Sequence, residues 1–188
     1  MFASQPLSPD AYLEAEKSSL IKHEYHNGEV YAMAGASDEH VTIGINLTAL
    51  LRQKLRGSGC RIYGSDMKVH IKAFNRYYYP DGLVSCDLRD RQFRYAKEYP
   101  TVIFEILSKG TEAQDRGQKF EHYRTLATLQ EYVLINQDRQ QVETFRKNLA
   151  GLWVLHPSPS GSLVELASLD ITLNMAELYE DVTFMAET

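Results

Sequence analysis

The sequence is poor in the features that would place it outside ordinary globular proteins. It has only two cysteines in 188 residues, Cys60 and Cys86, and no C-x-x-C pair. That count excludes a disulfide scaffold, and the six scattered histidines have no zinc spacing. On sequence alone the two thiols read as separate core residues in a reducing compartment. No run approaches the roughly 18 apolar residues that span a bilayer. The apolar segment at 102–104, for instance, is broken by Glu105. The N-terminal stretch MFASQPLSPDAYLEAEK has neither a basic n-region nor an apolar h-region. No signal peptide, no membrane partner and a cytoplasmic location are therefore expected. Positive charge is also in short supply: 20 Lys and Arg face 25 Asp and Glu, a net charge of −5. This argues against a passive nucleic-acid coat, which needs a basic surface. It leaves room for an enzyme that meets nucleic acid through a local basic patch and a bound metal. Repeats, low-complexity segments and linkers are absent, so a single domain over residues 1–188 is expected.

Turn and capping signals organise the chain. Ser8, Pro9 and Asp10 are N-cap, first-turn and dipole-matching residues for a helix over 8–20. Asn27-Gly28 is the pair favoured in type I′ turns, and it joins two short strands into an N-terminal hairpin. Ser37 opens a long helix to about Leu55, in which Val41, Ile45, Thr48 and Leu51 or Arg52 recur at helical spacing. Gly57 and Gly59 stop it. Strands are expected at 60–63, 67–71, 77–86, 101–107, 131–136, 142–147 and 152–156. A helix is expected from Thr111 to Leu126, and a short one within 173–179. Helices and strands alternate in groups, which predicts an α/β or α+β fold around a mixed central β-sheet flanked by helices.

One constellation carries chemistry. Asp81 follows Pro80 at a strand, and Glu105 stands in the otherwise apolar strand 101–107. Glu105 shares a face with Ile103 and Leu107, and both faces read as buried. An ionised carboxylate there is costly unless a cation or strong donors meet it. Two carboxylates on neighbouring strands make an oxygen site suited to Mg²⁺ or Mn²⁺. The same pair could instead be neutralised by a nearby Lys or Arg. If the next helix folds back over the sheet, it draws level with Glu105 after about 5–7 residues. Lys119 lies just beyond, and its side chain points back toward the helix N-terminus. Its ammonium could reach the carboxylates, or it could form an i,i+4 bridge to Asp115 on a solvated face. Glu24 is a supporting candidate, as a third acid or as a cross-strand partner of a base. His40 is another, facing the site or merely capping its helix. Tyr77, Tyr78 and Tyr79 read as an aromatic sheet strand more readily than as a base-stacking surface.

The residues of this constellation, Pro80-Asp81, Phe104–Ser108 and Asp115–Tyr123, resemble the Uma-type endonuclease family common in cyanobacteria. So do Glu24–Glu29, Met33–Gly35, His40, Gly64–Met67 and Leu129–Leu134. That family belongs to the PD-(D/E)XK restriction-endonuclease-like superfamily. The resemblance implies a restriction-endonuclease-like core and metal-dependent phosphodiester hydrolysis. It departs at one place: the superfamily lysine stands two residues after the acid on the same strand, and here that position is Leu107. Either Lys119 supplies the cation from the helix, with Lys109 the second choice, or the site is damaged. The expected function is a Mg²⁺-dependent endonuclease. Asp81 and Glu105 would be the metal ligands, and Lys119 the group that orients water or holds phosphate charge. Nucleic acid, with DNA first, would be the substrate of a homodimer. Two rivals remain open: an inactive module of the same fold that binds nucleic acid or protein, and a hydrolase using the two carboxylates on a sugar. On this reading, Lys119→Ala should lower cleavage by orders of magnitude and barely change stability, while Lys109→Ala should do little.

Overall fold

The computed structural model describes residues 6–184. Helix α1 (Pro9–Glu16) is capped by Ser8, whose hydroxyl accepts the Ala11 N–H at 3.2 Å. It stops four residues short of the expected end. Strands β1 (His23–His26) and β2 (Glu29–Ala32) form the hairpin, with Asn27 and Gly28 both at positive φ. A Cβ on Gly28 would lie 2.5 Å from the Pro6 side chain, so the turn demands glycine on both counts. Helix α2 (Asp38–Lys54) is capped by Ser37. Its buried stripe is Ile43, Leu47 and Leu51, whereas Val41 and Ile45 are exposed. The helical period was legible, but its phase was not: two apolar residues on the solvent flank mimic the stripe.

Strands β3 (Arg61–Gly64), β4 (Lys68–Ile71), β5 (Arg76–Tyr78), β6 (Gly82–Ser85), β7 (Ala96–Lys97) and β8 (Val102–Leu107) follow. The stretch expected as one strand over 77–86 is therefore two. Pro80-Asp81 breaks it, and the halves lie in different sheets. Pro80 has no N–H to offer a ladder, which makes it a natural crossing point. The helical segment after β8 has three parts: α3 (Glu112–Gln114), a π turn (Asp115–Lys119) and α4 (Phe120–Tyr123). Then come β9 (Glu131–Asn136), β10 (Val142–Lys147), β11 (Trp153–Ser158), the hairpin β12 (Leu163–Leu166) and β13 (Ile171–Asn174), and α5 (Met175–Leu178). The last hairpin was not expected, and β11 runs further than expected, into Pro157 and Ser158.

A six-stranded mixed sheet, in the order β11-β10-β9-β8-β6-β3, forms the centre. Only β8 and β9 run parallel in it. The α3–α4 segment is the crossover that a parallel pair requires. A second sheet has the order β2-β1-β5-β4-β7. Strand β8 is buried along its whole length and sorts its side chains by parity. Val102, Phe104 and Ile106 enter the core shared with α2 and α5. Ile103 and Leu107 enter the opposite core, with Tyr78, Tyr123 and Tyr132. Glu105 belongs by parity to this second, α4-facing side.

The two cysteines are not separate. Cys60 and Cys86 form a disulfide. The β3–β6 ladder pairs Arg61 with Ser85, so the residues just outside it fall opposite each other. Twenty-six residues of separation hid a contact that strand register creates.

Candidate active site

Asp81 sits where the chain leaves one sheet and enters the other. Its Oδ2 accepts the Ile106 N–H at 2.7 Å, extending the β6–β8 ladder with a side chain. Its Oδ1 lies 2.9 Å from His40 Nε2, at the start of α2. Burial alone would lower the His40 pKa, but the Asp81 carboxylate outweighs it and holds the imidazole above its ordinary value. His40 thus does more than cap its helix. It fixes Asp81 from the α2 side.

Glu105 is 2% exposed. Its Oε1 accepts from Tyr123 Oη at 3.0 Å and from Lys119 Nζ at 3.2 Å. Both donors converge on one oxygen, leaving Oε2 for another ligand. The Lys119 ammonium also lies 3.0 Å from Asp115 Oδ1 and 3.7 Å from Glu24 Oε1. All four charged side chains of this group are buried. Asp115 and Lys119, four residues apart in the π turn, share its inner side and are both buried. Such local widenings of a helix recur at functional sites.

The electrostatics follow from burial and from an excess of negative charge. Burial pushes the Glu105 carboxyl well above the usual carboxylate range. Lys119 opposes that, while Asp115, Asp81 and Glu24 reinforce it. Burial would pull the Lys119 ammonium down, but three carboxylates outweigh it and hold the proton more tightly than usual. Burial likewise raises Tyr123 and Tyr132 well above the ordinary phenol value, so both remain donors. Tyr132 spends its hydroxyl on the Asp115 carbonyl at 2.8 Å, pinning the π turn to β9.

The structure therefore brings Asp81, Glu105, Lys119, Glu24 and His40 together, all from separate elements. Lys109 is exposed and takes no part. The loop bases Arg89 and Lys97 serve local contacts with Asp87 and with the Asp90 and Phe93 carbonyls. Sequence reasoning gave no role to Tyr123 and treated Asp115 only as a surface partner. The signal for both was their position on the face that carries Lys119. Gln137 was also missed. Its side chain lies beside His40 and helps to hold the imidazole proton.

Among the described residues, no group of three or more His, Cys, Asp or Glu forms a ready-made metal site. The Lys119 ammonium occupies the space among Glu24, Glu105 and Asp115. Mg²⁺, however, keeps most of its waters and is held by one or two carboxylates. Of the two carboxylates, Glu105 has Oε2 free of protein hydrogen bonds, whereas Asp81 uses one oxygen on the Ile106 N–H and the other on His40.

A mixed sheet with a buried acid in its central strand and helices on its flanks is the α+β architecture expected of a restriction-endonuclease-like core. The chain shares this architecture with a crystal structure from Anabaena variabilis described as "a putative nuclease belonging to DUF820". The TM-score is 0.75 at 17% identity, over 93% of this chain and 98% of that one. The sequence model of the Uma2 family, described as "Putative restriction endonuclease", matches residues 9–176. The chain belongs to the Uma2 family. Two relatives come from Synechocystis sp. "Uncharacterized protein slr1290" is 36% identical over 178 residues, 95% of this chain and 94% of its own. "Uncharacterized protein sll1609" is 35% identical over 152 residues, 79% of this chain and 85% of its own.

Proposed function

We propose that the protein is a divalent-metal-dependent endonuclease that hydrolyses phosphodiester bonds of nucleic acid, DNA first. One observation carries the reading: Lys119 Nζ stands 3.2 Å from Glu105 Oε1. The strand position that should hold a lysine is Leu107, and the returning helix supplies the missing ammonium at the acid it must serve. A misplaced lysine on a solvated face would not be buried against three carboxylates.

Asp81 and Glu105 would hold Mg²⁺ or Mn²⁺. When bound, the ion supplies an acidified water and a Lewis acid for the phosphate. The remaining work falls to this chain's own side chains. Tyr123 and Lys119 fix the Glu105 rotamer by binding one of its oxygens. His40 and the Ile106 N–H fix Asp81 in the same way. Lys119 donates toward the phosphate or the attacking water and holds its proton, because its carboxylates favour the charged form. Cutting both strands of a duplex would take two such sites, as a homodimer provides. A single domain is consistent with this role.

A second reading has an observation of its own. The ammonium fills the space among the carboxylates and no three-ligand group is ready. This favours an inactive relative that binds nucleic acid or protein. Purified protein with plasmid, single-stranded DNA and RNA, in Mg²⁺ or Mn²⁺, separates the two. The nuclease reading expects cleavage that Asp81→Asn and Glu105→Gln each abolish while the protein stays folded. Cleavage that persists in both variants, or no cleavage on any substrate, overturns it.

A further inference from the structure

Beside the carboxylate cluster lies a cavity of about 560 Å³, within the size range of small-molecule sites. It is open and polar, and the hairpin β1–β2 forms much of its wall. Two of its lining residues each carry an anomalous buried nitrogen. Arg76 Nε is buried and has no hydrogen-bond partner among the described residues. His26 Nε2 is in the same state, 3.4 Å from the Glu24 carboxylate. Arg76 and His26 are directly paired across β1 and β5, so the two stand side by side. A buried donor left unmade costs free energy, and each such group in a folded protein calls for a partner.

Arg76 has little else to hold it. Its Nη1 reaches the Tyr78 hydroxyl only at 3.4 Å. No carboxylate pairs with it among the described residues. With Nε buried, the two terminal Nη groups of Arg76 are the fork that can meet a phosphate from the cavity through two parallel hydrogen bonds. Tyr31 also lines the cavity. It is 49% exposed, and its ring packs on the His26 imidazole with centroids 4.7 Å apart. The one acidic wall residue, Glu29, is exposed and already accepts the Tyr31 hydroxyl at 2.5 Å. That bond orients the ring. Gln118 completes the wall and directly precedes Lys119, while Glu24 links His26 to the Lys119 ammonium. The cavity and the carboxylate cluster therefore share a wall.

We propose that this cavity is a nucleotide subsite for the strand being cut. Arg76 takes the phosphate next to the scissile one, and the exposed Tyr31 ring stacks on the attached base. The proposal rests on the nuclease reading and adds a substrate-binding site to it. A nucleotide fits the size of the cavity and uses both the fork and the ring. A free inorganic anion would leave the ring idle. Stacking on one ring also tolerates any base, so the subsite holds a strand without choosing a sequence.

The test uses the Glu105→Gln protein in Mg²⁺ with a fluorescently labelled 12-nucleotide single-stranded DNA, followed by anisotropy across a salt series. Arg76→Gln should weaken binding and reduce the slope of log affinity against log salt by about 0.7, one phosphate contact on a single strand. Tyr31→Ala should weaken binding about tenfold and leave the slope unchanged, since stacking releases no counterion. Arg76→Lys should retain the slope and lose affinity, because an ammonium keeps the charge but not the fork. Circular dichroism melts accompany each variant. If Arg76→Gln proves unfolded, the solvent-exposed Tyr31 variant decides by itself. Unchanged affinity in both folded variants, with wild-type cleavage intact, overturns the subsite and leaves the nuclease reading standing. Wild-type protein that neither binds nor cleaves any nucleic acid overturns both.

Discussion

Lys119→Met is the most informative single change, and its expected consequence reverses what the sequence implied. Read from sequence, the lysine was removable at little cost to stability. In the structure its ammonium is the shared partner of Glu105 at 3.2 Å, Asp115 at 3.0 Å and Glu24 at 3.7 Å. Glu105, Asp115 and Glu24 are 2%, 1% and 8% exposed, so water cannot take over. Methionine keeps most of the volume and removes the charge. Breaking a buried ion pair from one side costs about 3–5 kcal/mol, because the other charge stays uncompensated. For a chain of this length each kcal/mol moves the melting temperature by roughly 2–4 °C. The variant should therefore melt about 6–20 °C lower at neutral pH, as well as losing cleavage. The sign of the pH dependence is a second check. Carboxyls whose folded-state pKa is raised contribute stability fully below the unfolded value and lose it as pH rises through the folded value. Without the ammonium, the buried acids are pushed up further. The deficit should thus shrink on going from pH 7.5 to pH 5. Thermal melts by circular dichroism at both values suffice. A variant that melts within a degree of wild type at pH 7.5 would refute the buried-cluster reasoning.

Glu105→Gln should abolish metal-dependent cleavage yet leave the melting temperature unchanged or higher: it removes one negative charge from a cluster in excess and keeps an acceptor for Tyr123. Asp81→Asn should lower the pKa of His40, readable from the imidazole proton shifts in NMR titration, because Asp81 is what holds it up. His122 and His70 are lowered by burial, His122 against Tyr78 and His70 against Glu98. Their unfolded forms bind protons more readily, so stability should be lost as pH falls below about 6.5. His122→Gln should blunt that loss in acid melts. Leu47→Ala should cost about 2–5 kcal/mol in urea unfolding and Ile45→Ala about 0.5 or less, since only Leu47 is buried. Equal costs would mean the assigned helix face is wrong.

Local signals in the sequence marked the element starts well. Ser8 and Ser37 cap their helices as expected, and Asn27-Gly28 turns the hairpin. The face of Glu105 followed from strand parity alone. Contacts made by register or by phase were not legible. Cys60 meets Cys86 only because β3 and β6 pair. The α2 stripe could not be phased, because Val41 and Ile45 imitate it. The Lys119 site was half legible. Helical rise and side-chain direction brought the ammonium to Glu105, but they gave no burial. Burial depends on Tyr132 holding the π turn against β9 and on Glu24 arriving from another sheet.

The origin of the cation also changes how the site is balanced. A lysine at position 107 would stand on the strand among the apolar side chains that bury Leu107. Supplied from the π turn, the ammonium arrives with its own carboxylate, Asp115, four residues earlier. The cluster then holds four carboxylates, counting Asp81 and Glu24, against one ammonium and one imidazole whose charge Asp81 favours. Even with both cations present, negative charge remains in excess inside a low-dielectric site. The raised proton affinity of Glu105 is one expression of that excess, and a divalent ion would relieve it in another way. Since Lys119 and Tyr123 engage only Oε1 of Glu105, such an ion could bind at Oε2 without displacing either. The buried ammonium and a bound metal are thus compatible on charge, and they differ in the oxygen they need.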